Sequence, residues 1–279
     1  MRSLPRPGQT AAQVVAACVA SIRDPDLSAR LAEVAGRLTL AETAYLMHGA
    51  GMSLHRIGLS DGVGGRVTSD EMKRVYSGTF VKSVRTRAIY DALKAAPVND
   101  MCPLCAQRTV STLDHYLAQS IHSELAISPV NLVPACAECN KAKLDHQPRT
   151  EAEQGFHPYF DDFDDERWLH AAVVEGSPAA LRFFVAPPVT WPRGRVARAM
   201  GHFASLGLGA LYASHSGVEL TNIRFSLERI ADAGTPGDVG AYLTERAESA
   251  VQAHPNGWQA AFYQAIARSA WFCGGGFRA

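Results

Sequence analysis

The chain has 279 residues, of which 47% are hydrophobic and 19% are charged, and its formal net charge is zero. This length allows one large domain or two to three small ones with hydrophobic cores, and no apolar run is long enough to cross a bilayer. A zero net charge argues against a broad basic face, so either a nucleic-acid surface is local or a partner supplies much of the affinity.

The first part of the chain is predicted to be helical. Apolar residues recur at helical spacing from Thr10 to about Gly49, with a break at Asp24-Pro25. The run Ala11–Ala20 resembles a signal peptide in composition, but Gln13 interrupts it and alanine dominates it. We interpret it as an amphipathic helix that Thr10 caps, and we therefore expect a cytoplasmic protein without membrane contact.

Three further elements are predicted before the chain changes character. A glycine-rich loop covers residues 60–67, and Thr68-Ser69-Asp70-Glu71 is a capping box that starts a helix reaching Tyr76. Another helix is predicted over residues 81–95.

Four of the six cysteines form two C-x-x-C pairs, Cys102/Cys105 and Cys136/Cys139. Paired cysteines of this kind are typical of structural zinc sites, in which four thiolates surround one ion. A redox pair is the alternative for a single C-x-x-C, but two pairs at this separation favour zinc. In so small a module, zinc binding and folding are expected to be coupled.

Polar residues that suit phosphodiester chemistry lie between the two pairs. A strand predicted over 110–113 ends at Asp114 and His115, and a second strand begins at Asn131. Asn140 follows the second pair at the start of a predicted helix. Each residue alone is more often a turn or a helix cap, but their joint occurrence in this order favours a site.

The segments 112–115, 131–136 and 139–143 together resemble the HNH endonucleases with the ββα-metal fold, in particular the bacterial and phage branch with four cysteines. The resemblance covers about sixty residues. It departs from the pattern at Asn140, where histidine is frequent. It implies an α+β chain in which a small ββα zinc module is embedded between mainly helical flanks.

The resemblance also implies roles for the residues. His115 is expected to be the general base that activates water, and Asn131 to hold the loop that orients it. Asp114 and Asn140 are expected to bind one Mg²⁺ or Mn²⁺ at the phosphate and leaving oxygen. His157 and Asp161 are interpreted as part of an aromatic plug rather than as site residues. Basic residues predicted to contact phosphates are Lys141, Lys143, Arg193 and Arg195.

Three regions are predicted: a helical region 1–97, an HNH module with structural zinc over 98–165, and a mixed, mainly helical region 166–279. Residues 169–174 and 180–185 are predicted to be strands or a mixture of strand and helix. Residues 195–207 begin a helical remainder, and a last long helix is predicted over 257–273. The predicted activity is hydrolysis of duplex DNA, within a bacterial defence or mobile-element system and with a regulatory protein partner. The alternative is a non-cutting zinc module that binds nucleic acid or a protein.

Overall fold

The computed structural model describes residues 1–143 and 147–279. Helices predominate, and the strands form two small antiparallel sheets, which gives a mixed α+β chain. The chain divides into two compact units. We call residues 2–162 the N-terminal unit and residues 163–279 together with Met1 the C-terminal unit. The predicted helical region and the cysteine module thus belong to one compact unit.

The N-terminal unit contains six helices and one two-stranded sheet among its described residues. Its elements are α1 (Ala11–Val19), α2 (Pro25–Glu33), α3 (Ala35–Ala50), α4 (Ser69–Arg74), α5 (Val84–Lys94), β1 (Thr112–His115), β2 (Leu132–Ala135) and α6 (Ala137–Lys143). A π-helical segment, Val75–Phe80, joins α4 to the residues before α5.

Local sequence signals set several of these boundaries. Thr10 begins α1 through a capping box with Gln13, and Asp24 accepts hydrogen bonds from the first backbone amides of α2. The predicted capping box of Thr68 and Glu71 is present at α4. These caps satisfy amides that have no partner inside their own helix, which is why the sequence alone locates them.

One hydrophobic cluster runs through the helices and into the sheet. It includes Val14 of α1, Leu31 of α2 and Phe80 of the π-helical segment, together with Leu113 of β1 and Leu132 of β2. The cysteine module therefore shares a core with the helices that precede it. Zinc does not have to replace a core here, because apolar side chains already fix one side of the sheet.

The sheet positions the polar residues of the module. Strand β1 pairs antiparallel with β2, so that Asp114 lies opposite Val133 and His115 lies opposite Leu132. Both site residues are inside β1 rather than after it, and Asn140 is inside α6 rather than at its start. The connection between the strands, residues 116–131, folds back over the carboxyl end of β1.

The C-terminal unit consists of a hairpin and five helices among its described residues. Its elements are β3 (Leu169–Val174), β4 (Ala180–Val185), α7 (Arg193–Ser205), α8 (Leu208–Ala233), α9 (Pro236–Ala253), α10 (Trp258–Arg268) and α11 (Ala270–Cys273). Both predicted strands have the predicted bounds and pair antiparallel with each other. None of the described helices combines the length and the apolarity that a membrane span requires.

The last predicted helix, 257–273, is two helices in the structure. Ser269 has an extended backbone, and its hydroxyl accepts a hydrogen bond from the Phe272 amide at 3.1 Å. A serine at this point caps a new helix in preference to continuing the old one, because its side chain satisfies a free amide.

Candidate functional site

The four paired cysteines come together in the N-terminal unit. Their sulphur atoms all lie within 4.8 Å of one another, and each residue is at most 1% exposed. A tetrahedral zinc ion with bonds of about 2.3 Å requires sulphur atoms about 3.8 Å apart. The cluster therefore fits a metal ion such as zinc, and all four predicted ligands belong to it.

The surrounding backbone favours thiolates at two of the four cysteines. The Arg108 amide donates to Sγ of Cys105, and the Cys139 amide donates to Sγ of Cys136, both at 3.4 Å. Hydrogen bonding from the Cys102 thiol lowers the pKa of Cys105, and it lowers the pKa of Cys136 to about 6, whereas hydrogen bonding within the cluster raises the pKa of Cys102 and Cys139. Thiolate is the form that binds zinc.

A cavity of about 330 Å³ lies beside the sheet. Asp114 and His115 of β1 line it, and so does Asn140 of α6. The structure thus brings three predicted site residues to one cavity, although 24 residues separate His115 from Asn140 in the sequence. The remaining lining residues are Tyr76, Thr112, Leu113, Ala118 and Gln119.

His115 is held in one tautomer. Its Nε2 lies 2.8 Å from the carbonyl oxygen of Ala126, and a carbonyl can only accept a hydrogen bond. Nε2 therefore carries the proton, and Nδ1 of the neutral ring keeps its lone pair. Burial lowers the pKa of His115 to about 4, so the ring is neutral at physiological pH. A neutral imidazole with a free lone pair is able to accept a proton from water.

Asn131 orders the loop that holds His115. The side-chain oxygen of Asn131 accepts from the Leu117 amide at 2.8 Å, and its amide group donates to the carbonyls of Leu117 and Leu125 at 3.0 and 3.2 Å. Leu125 immediately precedes Ala126, whose carbonyl bonds the imidazole. Asn131 is fully buried, and all of these bonds lie within the connection between β1 and β2.

Asp114 has a charged partner that the sequence did not predict for it. Nζ of Lys143 lies 2.6 Å from Oδ2 of Asp114 and also donates to the His115 carbonyl. Burial raises the pKa of the Asp114 carboxyl, and the Lys143 charge opposes this effect. Lys143 is predicted to contact phosphates. In the structure, however, its ammonium group pairs with the carboxylate of Asp114, which is predicted to bind the divalent ion. Its helical position, one turn after Asn140, explains how it reaches this side of the sheet.

The other predicted phosphate contacts differ in their surroundings. Lys141 is exposed on α6, and Arg193 is exposed at the start of α7. Arg195 is tied down in the C-terminal unit, because its Nη2 lies 2.6 Å from Asp165 and its guanidinium lies 3.8 Å from the Trp191 ring centre. Its charge is therefore partly neutralised within its own unit.

The remaining histidines near the module have structural contacts. His157 is buried, its Nε2 lies 2.9 Å from the Tyr45 hydroxyl, and its backbone amide donates to Asp161 at 2.8 Å. These contacts agree with an aromatic plug. His122 lies 2.7 Å from Gln147, whereas His146 falls outside the described residues.

Sequence reasoning did not identify Tyr76 or the Ala126 carbonyl. Tyr76 precedes β1 by more than thirty residues, and its ring centre lies 4.5 Å from that of His115. No local motif marks either contact, because both depend on how distant segments pack. The position of Tyr76 beside a predicted helix end carried no signal for this site.

One curated protein with sequence similarity to the chain is protein ea31 of Escherichia phage lambda. It is 29% identical over 164 residues, which is 57% of this chain and 55% of the phage protein. The chain thus spans about half the length of the curated relative it matches. No protein-family model matches the chain, and no solved structure matches it.

Proposed function

We propose that this protein is a metal-dependent endonuclease of the HNH type that hydrolyses DNA phosphodiester bonds. The observation that supports this most directly is the common cavity of Asp114, His115 and Asn140 beside a four-cysteine cluster. Residues of β1 and α6 line that cavity and β2 pairs with β1, and this order of strand, strand and helix agrees with the resemblance of the sequence. A binding module has no need for a neutral histidine held in one tautomer at the floor of a cavity.

The proposed reaction is attack of water on the phosphorus atom. Nδ1 of His115 takes a proton from the water while the water oxygen forms a bond to phosphorus. The bond from phosphorus to the 3′-oxygen breaks, and the 3′-oxygen leaves with the electron pair and takes a proton from solvent water. The Ala126 carbonyl holds Nε2–H throughout, and it stabilises the imidazolium that forms. Asn131 fixes the loop that carries this carbonyl, so its role is to position His115 rather than to react.

Two metal ions with different duties are proposed. Zinc on Cys102, Cys105, Cys136 and Cys139 would hold the turn at residues 102–105 to the start of α6. Asp114 and Asn140 offer a carboxylate oxygen and an amide oxygen, which are the hard donors that Mg²⁺ and Mn²⁺ prefer. When bound there, such an ion would supply positive charge that offsets the charge on the phosphate and the leaving oxygen. Lys143 would have to release Asp114 for this, and its freed ammonium group would lie near the phosphate.

Duplex DNA is the proposed substrate, and exposed basic residues outside the cavity would add affinity. Arg193 suits this role better than Arg195, because it is exposed and forms no ion pair with the described part of the chain. Charge reversal at Arg193 should weaken DNA binding and lower the slope of its salt dependence by about one. An unchanged slope would remove Arg193 from the interface.

The biological setting is proposed from the relative rather than from the site. Protein ea31 is encoded by a phage, which supports a place in a mobile-element or defence system. A regulatory protein partner is proposed because the neutral net charge leaves DNA affinity to local surfaces.

The deciding experiment is plasmid cleavage in Mg²⁺ or Mn²⁺ by the wild type and by His115→Ala. We expect nicking by the wild type and a loss of at least about 100-fold in the variant, as for removal of a general base. The control is His122→Ala, a nearby histidine that does not line the cavity. Equal cleavage by wild type and His115→Ala would indicate a contaminant. DNA binding without cleavage by any of the proteins would instead favour the non-cutting zinc module.

A further inference from the structure

Tyr76 brings part of the helical region into the proposed active site. It belongs to the π-helical segment Val75–Phe80, and it lines the same cavity as Asp114 and His115. Segments of π-helix are rare and occur preferentially at functional sites. Val75 and Phe80, at the two ends of the segment, are buried in the hydrophobic cluster. The backbone of Tyr76 is therefore anchored on both sides.

The ring of Tyr76 packs against the proposed general base. Its centre lies 4.5 Å from the His115 ring centre, and the two planes are inclined by 66°. This edge-to-face arrangement is attractive between aromatic rings, and the Tyr76 ring restricts rotation of the imidazole. Together with the Ala126 carbonyl on Nε2, it leaves the imidazole little freedom.

Among the residues that the structure describes, none is hydrogen-bonded to the hydroxyl of Tyr76, although its carbonyl accepts from the Val81 amide. Three other tyrosines of the N-terminal unit satisfy their hydroxyls: Tyr45 bonds His157, Tyr116 bonds the Gly155 carbonyl and Tyr159 bonds the Leu132 carbonyl. Partly buried phenols normally find a partner, so a donor group at the wall of this cavity is available to a ligand.

We propose that Tyr76 is a substrate-contacting residue of the nuclease site. Its hydroxyl donates a hydrogen bond to a non-bridging oxygen of the phosphate under attack, and its ring positions His115. This inference rests on the proposed nuclease function. It also gives the region before Pro97 a function in the site, because Tyr76 supplies part of the cavity wall.

The test compares Tyr76→Phe, which keeps the ring and removes the hydroxyl, with Tyr76→Leu, which removes both. The matched control is Tyr90→Phe, because Tyr90 packs on Phe80 in the same cluster but does not line the cavity. Each protein is loaded with zinc, checked for its thermal midpoint, and measured for kcat and KM in plasmid nicking. His115→Ala is included as the reference for loss of chemistry.

For Tyr76→Phe we expect an unchanged thermal midpoint and a fall of about 10-fold or more in kcat/KM, as for a lost bond to a charged oxygen. Tyr76→Leu should fall further, and Tyr90→Phe should match the wild type. A Tyr76→Phe variant with wild-type kinetics would overturn the inference while His115→Ala still supports the nuclease. An equal loss in Tyr90→Phe would also overturn it, by showing an effect of packing. Absence of metal-dependent nicking by the wild type would overturn the nuclease and this inference together.

Discussion

Replacement of Asn131 by alanine should loosen the loop that holds His115 and leave the rest of the fold in place. The change removes three buried side-chain hydrogen bonds, two of them to Leu117 and one to Leu125. Each is worth about 1 kcal/mol net, and the unsatisfied Leu117 amide costs about 1–3 kcal/mol more. We therefore expect the free energy of unfolding to fall by about 4–6 kcal/mol, a large part of the stability of a typical domain.

The matched control is Asn256→Ala in the C-terminal unit. The Asn256 side chain is also buried, and it accepts from the amides of Trp168 and Leu169 at 2.9 and 3.3 Å. Its amide group donates to the carbonyls of Phe163 and Glu166 at 2.8 and 2.9 Å and to the Asp164 carboxylate at 3.3 Å. Because Asn256 makes more bonds than Asn131, Asn256→Ala should lose at least as much stability as Asn131→Ala in urea unfolding. Hydrogen exchange should tell them apart, because Asn131→Ala exposes the Leu117 amide whereas Asn256→Ala exposes the Trp168 amide.

Only the Asn131 change should alter the proposed chemistry. With the loop loosened, the Ala126 carbonyl no longer fixes the His115 ring, and kcat for plasmid nicking should fall by about 10-fold or more. Asn256→Ala should keep its kcat at saturating DNA. Unchanged protection of the Leu117 amide in Asn131→Ala, or an equal loss of kcat in both variants, would refute this reasoning.

Three further predictions concern the metal cluster and the buried charges. Cys136→Ser should bind less than one zinc per chain and lose protection around the cysteines, while helical circular dichroism largely persists because the shared core remains. Lys143→Met should lower the free energy of unfolding by about 3 kcal/mol at neutral pH, since it leaves Asp114 buried without its cation, whereas exposed Lys141→Met should be neutral. The pKa of His115 is lowered to about 4, so the unfolded chain binds its proton first as pH falls. Wild-type stability should therefore fall between pH 6.5 and 4, by up to about 1.4 kcal/mol per pH unit more than in His115→Gln.

Each of these has a distinct contrary result. Full zinc content in Cys136→Ser would contradict the ligand assignment, and Cys273→Ser, a buried cysteine outside the cluster, serves as its control. Equal stabilities of Lys143→Met and Lys141→Met would show that the Asp114 pair contributes nothing. Parallel pH curves for wild type and His115→Gln would place the titrating group elsewhere.

The parts of the fold that the sequence predicted well depend on neighbours in the chain. The capping box of Thr68 and Glu71 spans four residues, and the hairpin strands at 169–174 and 180–185 are short apolar runs on either side of turn residues. The prediction of one continuous helix at the C-terminal end was wrong in one detail. Helix 257–273 is interrupted at Ser269 because a single side chain caps a new helix, which hydrophobic periodicity does not reveal.

The sequence by itself determined the four-cysteine cluster and the identity of the polar residues between its two pairs, because the residue types and their short spacing are local properties of the chain. Only the tertiary structure decided which groups contact those residues. The Ala126 carbonyl on His115, the Lys143 ammonium on Asp114 and the Tyr76 ring at the cavity all join segments more than ten residues apart. Such contacts follow from the packing of a shared core, and no local pattern specifies them.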